Sequence, residues 1–164
     1  MVLALFGALV ACSRSVEERE YAVPEALCGI SVDRDLISKF LPSGKRIDVK
    51  EKKPVPSRNR CQVNIDGKVA LVMSKEWRER GESINYVAGT HSRIDSTDST
   101  DNGTYVYSDT GGVGRVKFCN RSARSERVLY TVVQVYATGM EDKSSMKSLI
   151  MAYTKAVERS GACQ

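Results

Sequence analysis

Apolar and polar positions change rhythm several times along this chain, and each change predicts an element. Residues 1–11, MVLALFGALVA, are almost unbroken apolar, and residues 12–23 turn polar and charged. Asp33–Leu41 places Leu36, Ile37, Phe40 and Leu41 on one face at i, i+1, i+4, i+5, which predicts a short helix stopped by Pro42-Ser43-Gly44. Ile47 and Val49 alternate within Lys45–Lys50, a short strand. Glu51–Arg60, with two prolines and many charges, reads as a loop. Cys61, Val63 and Ile65 alternate onto one face, Asp66-Gly67 follows, and Lys68–Met73 is again apolar. Asp-Gly between two such runs predicts a hairpin, because its tight turn needs positive φ at both central residues.

Beyond that hairpin the pattern is coarser. Ser74–Glu82 is charged and reads as a helical turn, and Ile84–Ala88 as a strand before a polar loop. Thr104–Tyr107 and Val113–Cys119 flank Ser108-Asp109-Thr110-Gly111-Gly112, a second hairpin with a longer loop. Arg127–Ala137 (RVLYTVVQVYA) is apolar on both faces, as a central strand covered twice would be. Glu141–Ser160 gathers Met146, Leu149, Ile150, Tyr153, Ala156 and Val157 into one helical stripe, with Gly161 as its C-terminal cap. The expected fold class is α+β. An antiparallel sheet of about five to seven strands, built from hairpins, carries a short N-terminal helix and an amphipathic C-terminal helix.

Composition narrows this little. With 164 residues, 41% hydrophobic and 27% charged, one folded domain is expected, and collagen, coiled coil, a polytopic membrane protein and a disordered tail are excluded. The cysteines change the picture more. The run before Cys12 is too short to cross about 30 Å of hydrocarbon. It suits the apolar region of a signal peptide. Leu9-Val10-Ala11-Cys12 resembles the bacterial lipobox, which implies that Cys12 is the lipidated first residue of the mature protein. No Lys or Arg precedes Val2, so the basic region of the signal would lie upstream of Met1. The expected organisation is a signal peptide at 1–11, a lipidated tether at 12–23 and a single domain at 24–164. The location is the extracytoplasmic face of the membrane, where two acyl chains anchor stably.

Setting Cys12 aside leaves Cys28, Cys61, Cys119 and Cys163. Their wide spacing, without a C-x-x-C pair and with one His in the chain, argues against zinc and redox chemistry and for structural disulfides in an oxidising compartment. Cys28–Cys61 with Cys119–Cys163 is the favoured pairing, and Cys28–Cys163 with Cys61–Cys119 its rival. Leu27-Cys28-Gly29, Leu41-Pro42-Ser43-Gly44-Lys45 and Cys61–Gly67 together resemble small secreted actinobacterial lipoproteins of unassigned function. That resemblance implies export, lipidation and disulfides, and transfers no catalytic residue.

Four further features bear on chemistry. Asp98, Thr100, Asn102 and Asp109 fall at positions 1, 3, 5 and 12 of a calcium-binding EF-hand loop, with Gly103 at position 6. Thr at position 3, Asp at position 12 and strand-like flanks depart from that pattern, so a solvated polar loop is the expectation and no cofactor or metal is called for. His91 sits beside Ser92, but no G-x-S-x-G elbow exists, and Glu82, Asp95 or Asp98 would have to complete a triad through tertiary contact. An exposed loop His is expected. Gly111-Gly112-Val113-Gly114 lacks a following Lys-Ser/Thr and reads as a hairpin turn rather than a phosphate loop. Tyr105, Tyr107, Tyr130 and Tyr136 are expected to pack on the sheet.

Charge supplies the last expectation. Residues 45–80 hold eleven Lys and Arg against five acids, more excess than the +5 of the whole chain. Stacking aromatics are lacking there, which argues against nucleic acid. An anionic lipid or wall polymer fits better for a protein held at a membrane. The leading reading is a lipid-anchored, non-enzymatic binding domain. The alternatives are an exported hydrolase or wall-modifying enzyme, and an accessory subunit for an unknown envelope protein.

Overall fold

The computed structural model describes residues 18–95, 97–100, 102–117, 119, 126–161 and 163. The lipobox and Cys12 lie outside these. The small ladder β1 (Ala26–Leu27) and β2 (Ile30–Ser31) comes first, then the short helix α1 (Arg34–Ser38). Three long strands follow: β3 (Ile47–Val55), β4 (Arg58–Ile65) and β5 (Lys68–Glu79). After helix α2 (Ile84–Gly89) come β6 (Asp98–Ser99), β7 (Tyr105–Tyr107), β8 (Gly111–Arg115), β9 (Arg127–Val135) and helix α3 (Lys143–Arg159). The main sheet has seven strands in the order β3-β4-β5-β9-β8-β7-β6, antiparallel throughout. Two meanders therefore meet where β5 pairs with β9.

Local chemistry explains the best-defined joints. Asp66 and Gly67 both take positive φ, 48° and 81°, and close the β4–β5 hairpin. The Asp66 carboxylate also accepts the backbone N–H groups of Lys45 and Arg46 at 3.0 and 2.9 Å, which holds its pKa below the usual carboxylate range. Asp33, Ser83 and Asp142 cap the three helices, accepting from the N–H of Asp35, Tyr86 and Ser145. At the end of α3, Gly161 is not among the positive-φ residues, and the chain turns through Ser160 N–H to Val157 instead.

One face of the sheet is covered by the N-terminal segment and by α3. Val32, Ile37, Phe40 and Leu41 share a core cluster with Val63, Leu71 and Met73, and Met146, Leu149, Ile150 and Val157 extend it from α3. Two disulfides fasten these covers. Cys28–Cys61 joins the β1–β2 turn to β4, and Cys119–Cys163 joins the chain beyond β8 to the end of α3. On the opposite face a second cluster, built from Val87, Ala88, Ile94, Val106, Val113 and Val132, fills the space under α2.

Several sequence expectations need correction. Residues 51–60 form a hairpin, with Pro54 on edge strand β3, where a missing N–H costs nothing. β5 runs on to Glu79 instead of turning helical at Ser74, because β4 and β9 hold it on both sides. Ile84–Ala88 is helical, since Ser83 caps it and Ile84, Val87 and Ala88 share one helical face. Gly111, Gly112 and Gly114 lie within β8 rather than in its turn. A Cβ on Gly114 would collide with Thr154 Oγ1 of α3 and stand 2.9 Å from Thr131 Oγ1, so glycine lets α3 seat closely. Tyr21 and Val23 are buried, and Arg19 donates to the carbonyl of Leu41 at 2.7 Å, so residues 19–23 belong to the folded body and not to a tether.

Candidate functional site

Strand alternation sends apolar residues of β3, β4 and β5 under the N-terminal cover and polar ones to the other face. The register aligns Lys52 with Arg60 and Ser74, Lys50 with Gln62 and Val72, and Arg58 with Glu76. No helix covers β3 and β4 on this side; α2 contacts β7 and β8 instead. A polar chain crosses the open face. Lys52 Nζ donates to Gln62 Oε1 at 3.0 Å, Gln62 Nε2 to Asn64 Oδ1 at 2.8 Å, and Lys50 pairs with Asp48 at 2.9 Å. Further along, Arg78 is bound to Glu82 at 2.6 Å. The basic stretch of the sequence thus becomes a surface carrying Lys50, Lys52, Arg58 and Arg60 on neighbouring strands.

Where this open face meets the covered half, the sheet buries a carboxylate. Glu76 is 1% exposed. Its Oε1 lies 2.9 Å from Arg58 Nε and 3.4 Å from His91 Nε2, close in charge but not aligned as hydrogen bonds, and its Oε2 likewise has no hydrogen-bond donor among the described residues. Arg60 Nε is buried and equally without a hydrogen-bond acceptor there. Burial pushes the Glu76 pKa up, but His91, through its contact and charge, and the Arg58 and Arg78 guanidiniums together hold it below the ordinary carboxylate value. An ionised carboxylate in this position is therefore supported by three cationic or polar neighbours, at a desolvation cost of several kcal/mol.

His91 is not the exposed loop residue expected. It is 7% exposed, because the turn after α2 folds back over β5, with His91 N–H bonded to Ala88 and Ile94 N–H to His91. Neither Ser92, which is exposed, nor Glu82, Asp95 or Asp98 is its partner in an ion pair; Glu76 is. Sequence reasoning missed Glu76 by ending the strand at Met73. The alternation Leu71, Met73, Trp77 against Val72, Ser74, Glu76 was the available signal.

The acidic loop is divided among three elements. Asp98 belongs to edge strand β6 and pairs with Lys143 at 3.0 Å. Thr100 and Asn102 bond one another across a tight turn, where Asn102 Oδ1 also accepts Thr104 N–H. Asp109 stands in the separate β7–β8 turn. Among the described residues no group of three or more His, Cys, Asp or Glu side chains stands together as a metal site would require. Tyr105, Tyr107 and Tyr130 are buried, with Tyr130 donating to the carbonyl of Glu82, whereas Tyr136 is 40% exposed and lies beneath Arg93.

Among the described residues no helix is long and apolar enough to cross a membrane. No family model, no curated protein and no solved structure matches this chain.

Proposed function

We propose that this protein is a lipid-anchored, exported binding domain. Cys12 carries the anchor, and the open face of β3 and β4 engages an anionic lipid or wall polymer. The observation that carries the reading is the uncovered face itself, with Lys50, Lys52, Arg58 and Arg60 on neighbouring strands. Each basic residue near an anionic surface contributes on the order of 1 kcal/mol, and the exposed Lys50 and Lys52 carry that contribution here, since Arg58 is paired with Glu76. The two disulfides suit an oxidising compartment. The hydrolase alternative gains nothing from Glu76 and His91. A general acid or base works best with a pKa near the working pH and must reach substrate. Glu76 is instead buried with a lowered pKa.

Cosedimentation of the unlipidated Cys12→Ser protein with anionic vesicles tests the face. Binding should weaken about tenfold or more from low to high salt, and fall similarly in Lys50→Glu/Lys52→Glu. Equal binding to neutral vesicles, or indifference to salt, would sink the reading. Membrane fractionation of the Cys12→Ser protein tests the anchor separately: it should leave the membrane pellet in high salt, while the unaltered protein stays.

The accessory-subunit reading has one observation in its favour. Val69 and Tyr136 stand exposed around a cavity of about 330 Å³ at the turn end of β5 and β9. Crosslinking from Tyr136 to one envelope protein would favour that reading.

A further inference from the structure

The far end of β5 and β9 carries a second charged feature, separate from the open face. β5, β9 and β8 are neighbours in the sheet, and β5 ends where β9 begins and β8 ends. Arg80, Arg127, Arg115 and Lys117 therefore converge around one cavity of about 500 Å³. Among the described residues no carboxylate lines it. Backbone bonds fix its walls: Arg80 N–H to the carbonyl of Glu126, Val116 N–H to Leu129 and Arg115 N–H to Thr104. Cys119, held by its disulfide to Cys163, forms another part of the lining.

Two acids stand beside this charge. Glu79 pairs with Arg127 at 3.5 Å, with both side chains well exposed. The Glu158 carboxylate accepts the backbone N–H of Lys117 rather than meeting its ammonium. Among the described residues, Arg115 and Lys117 make no ion pair. Arg115 and Lys117 carry like charge beside Arg127 around one hollow, and a bound anion relieves their repulsion. The volume falls in the range of small-ligand sites, and arginine forks match the paired oxygens of phosphate.

We infer that this cavity is a binding site for a phosphate-bearing ligand, taken through Arg80, Arg115, Lys117 and Arg127. The shared chemistry is the phosphate, whether on a soluble ester or on a lipid headgroup. The site does not rest on the reading of the β3–β4 face, and the two can fail separately.

Calorimetric titration of the disulfide-intact Cys12→Ser protein with inorganic pyrophosphate is the first arm. Vesicles containing phosphatidylglycerol form the second. Saturable binding in either arm should weaken about tenfold or more in Arg115→Ala and in Arg127→Ala, recover in part in Arg115→Lys, and be unchanged in Lys155→Ala, an exposed lysine outside the cavity. Dependence on Arg115 and Arg127 in the pyrophosphate arm identifies a soluble phosphate, and in the vesicle arm alone a headgroup. Arg115 and Arg127 are both exposed, so the variants should fold, and a thermal melt checks this. The inference is overturned if neither arm depends on Arg115 and Arg127, or if Lys155→Ala weakens binding as much as they do.

Discussion

The two halves of one sheet are covered differently. β7, β8 and β9 are buried on both faces, under α3 on one side and under α2 with Ile94 on the other. β3 and β4 are packed on one face only, by the N-terminal segment, while β5 between them and β9 is buried on both. The twice-covered half therefore reads as continuous apolar sequence, and the once-covered half alternates. Charge accumulates where cover is missing. At the seam between the two regimes sits Glu76, a charged residue of the alternating half drawn under the fringe of the covered one.

Each cover on the shared face also has its own staple, which makes the comparison breakable from either side. The largest effect is expected from Cys28→Ala/Cys61→Ala, which frees the N-terminal cover. Closing a loop of this size contributes about 4 kcal/mol, and chemical denaturation under non-reducing conditions should show a loss of that order. Next is Glu76→Ala at the seam. It leaves Arg58 and His91 facing one another without their carboxylate and should cost about 3 kcal/mol in the same measurement. On the twice-covered half, Gly114→Ala presses a methyl against Thr154 and Thr131 and should cost about 2 kcal/mol. Lys50→Ala/Lys52→Ala, on the open half, should leave the melting temperature almost unchanged, within about 0.5 kcal/mol, while reducing vesicle binding.

The seam also predicts a direction with pH. The folded-state pKa of Glu76 lies below its unfolded value of about 4.5, so its ionised form favours the folded state. That contribution is complete above pH 4.5 and is lost as pH falls through the folded value. Acid melts should show the protein weakening below about pH 4.5, with a shallower decline in Glu76→Gln. An identical decline in both would separate Glu76 from the acid limb.

Reading the chain alone recovers the elements whose signal is local. The Asp66-Gly67 hairpin, the apolar run of β9 and the stripe of α3 carry their structure in spacing and turn chemistry. The misread segments share a different cause. β3 beyond Lys50 is exposed on both faces, so only backbone pairing with β4 makes it a strand. The second half of β5 carries polar Ser74 and Glu76 on the side away from the N-terminal cover, and it is extended because β4 and β9 flank it. The glycines of β8 look like a turn until α3 comes to rest on them. Of the site, the basic character of residues 45–80 is legible in composition, but which of them share the open face, and that Arg80 meets Arg115, Lys117 and Arg127 at the end cavity, is not.

What the sequence by itself determined is therefore the class of the molecule: an antiparallel α+β domain with a C-terminal helix, two candidate disulfides and an excess of positive charge. These follow from periodicity, turn residues and residue counts, all local or additive properties. Only the tertiary structure decided which side of the sheet stays open, that His91 turns inward to Glu76, and that Arg80, Arg115, Lys117 and Arg127 share one cavity. Those outcomes depend on strand order and on which cover lands on which strands, and residues distant in sequence become neighbours only when the sheet is assembled.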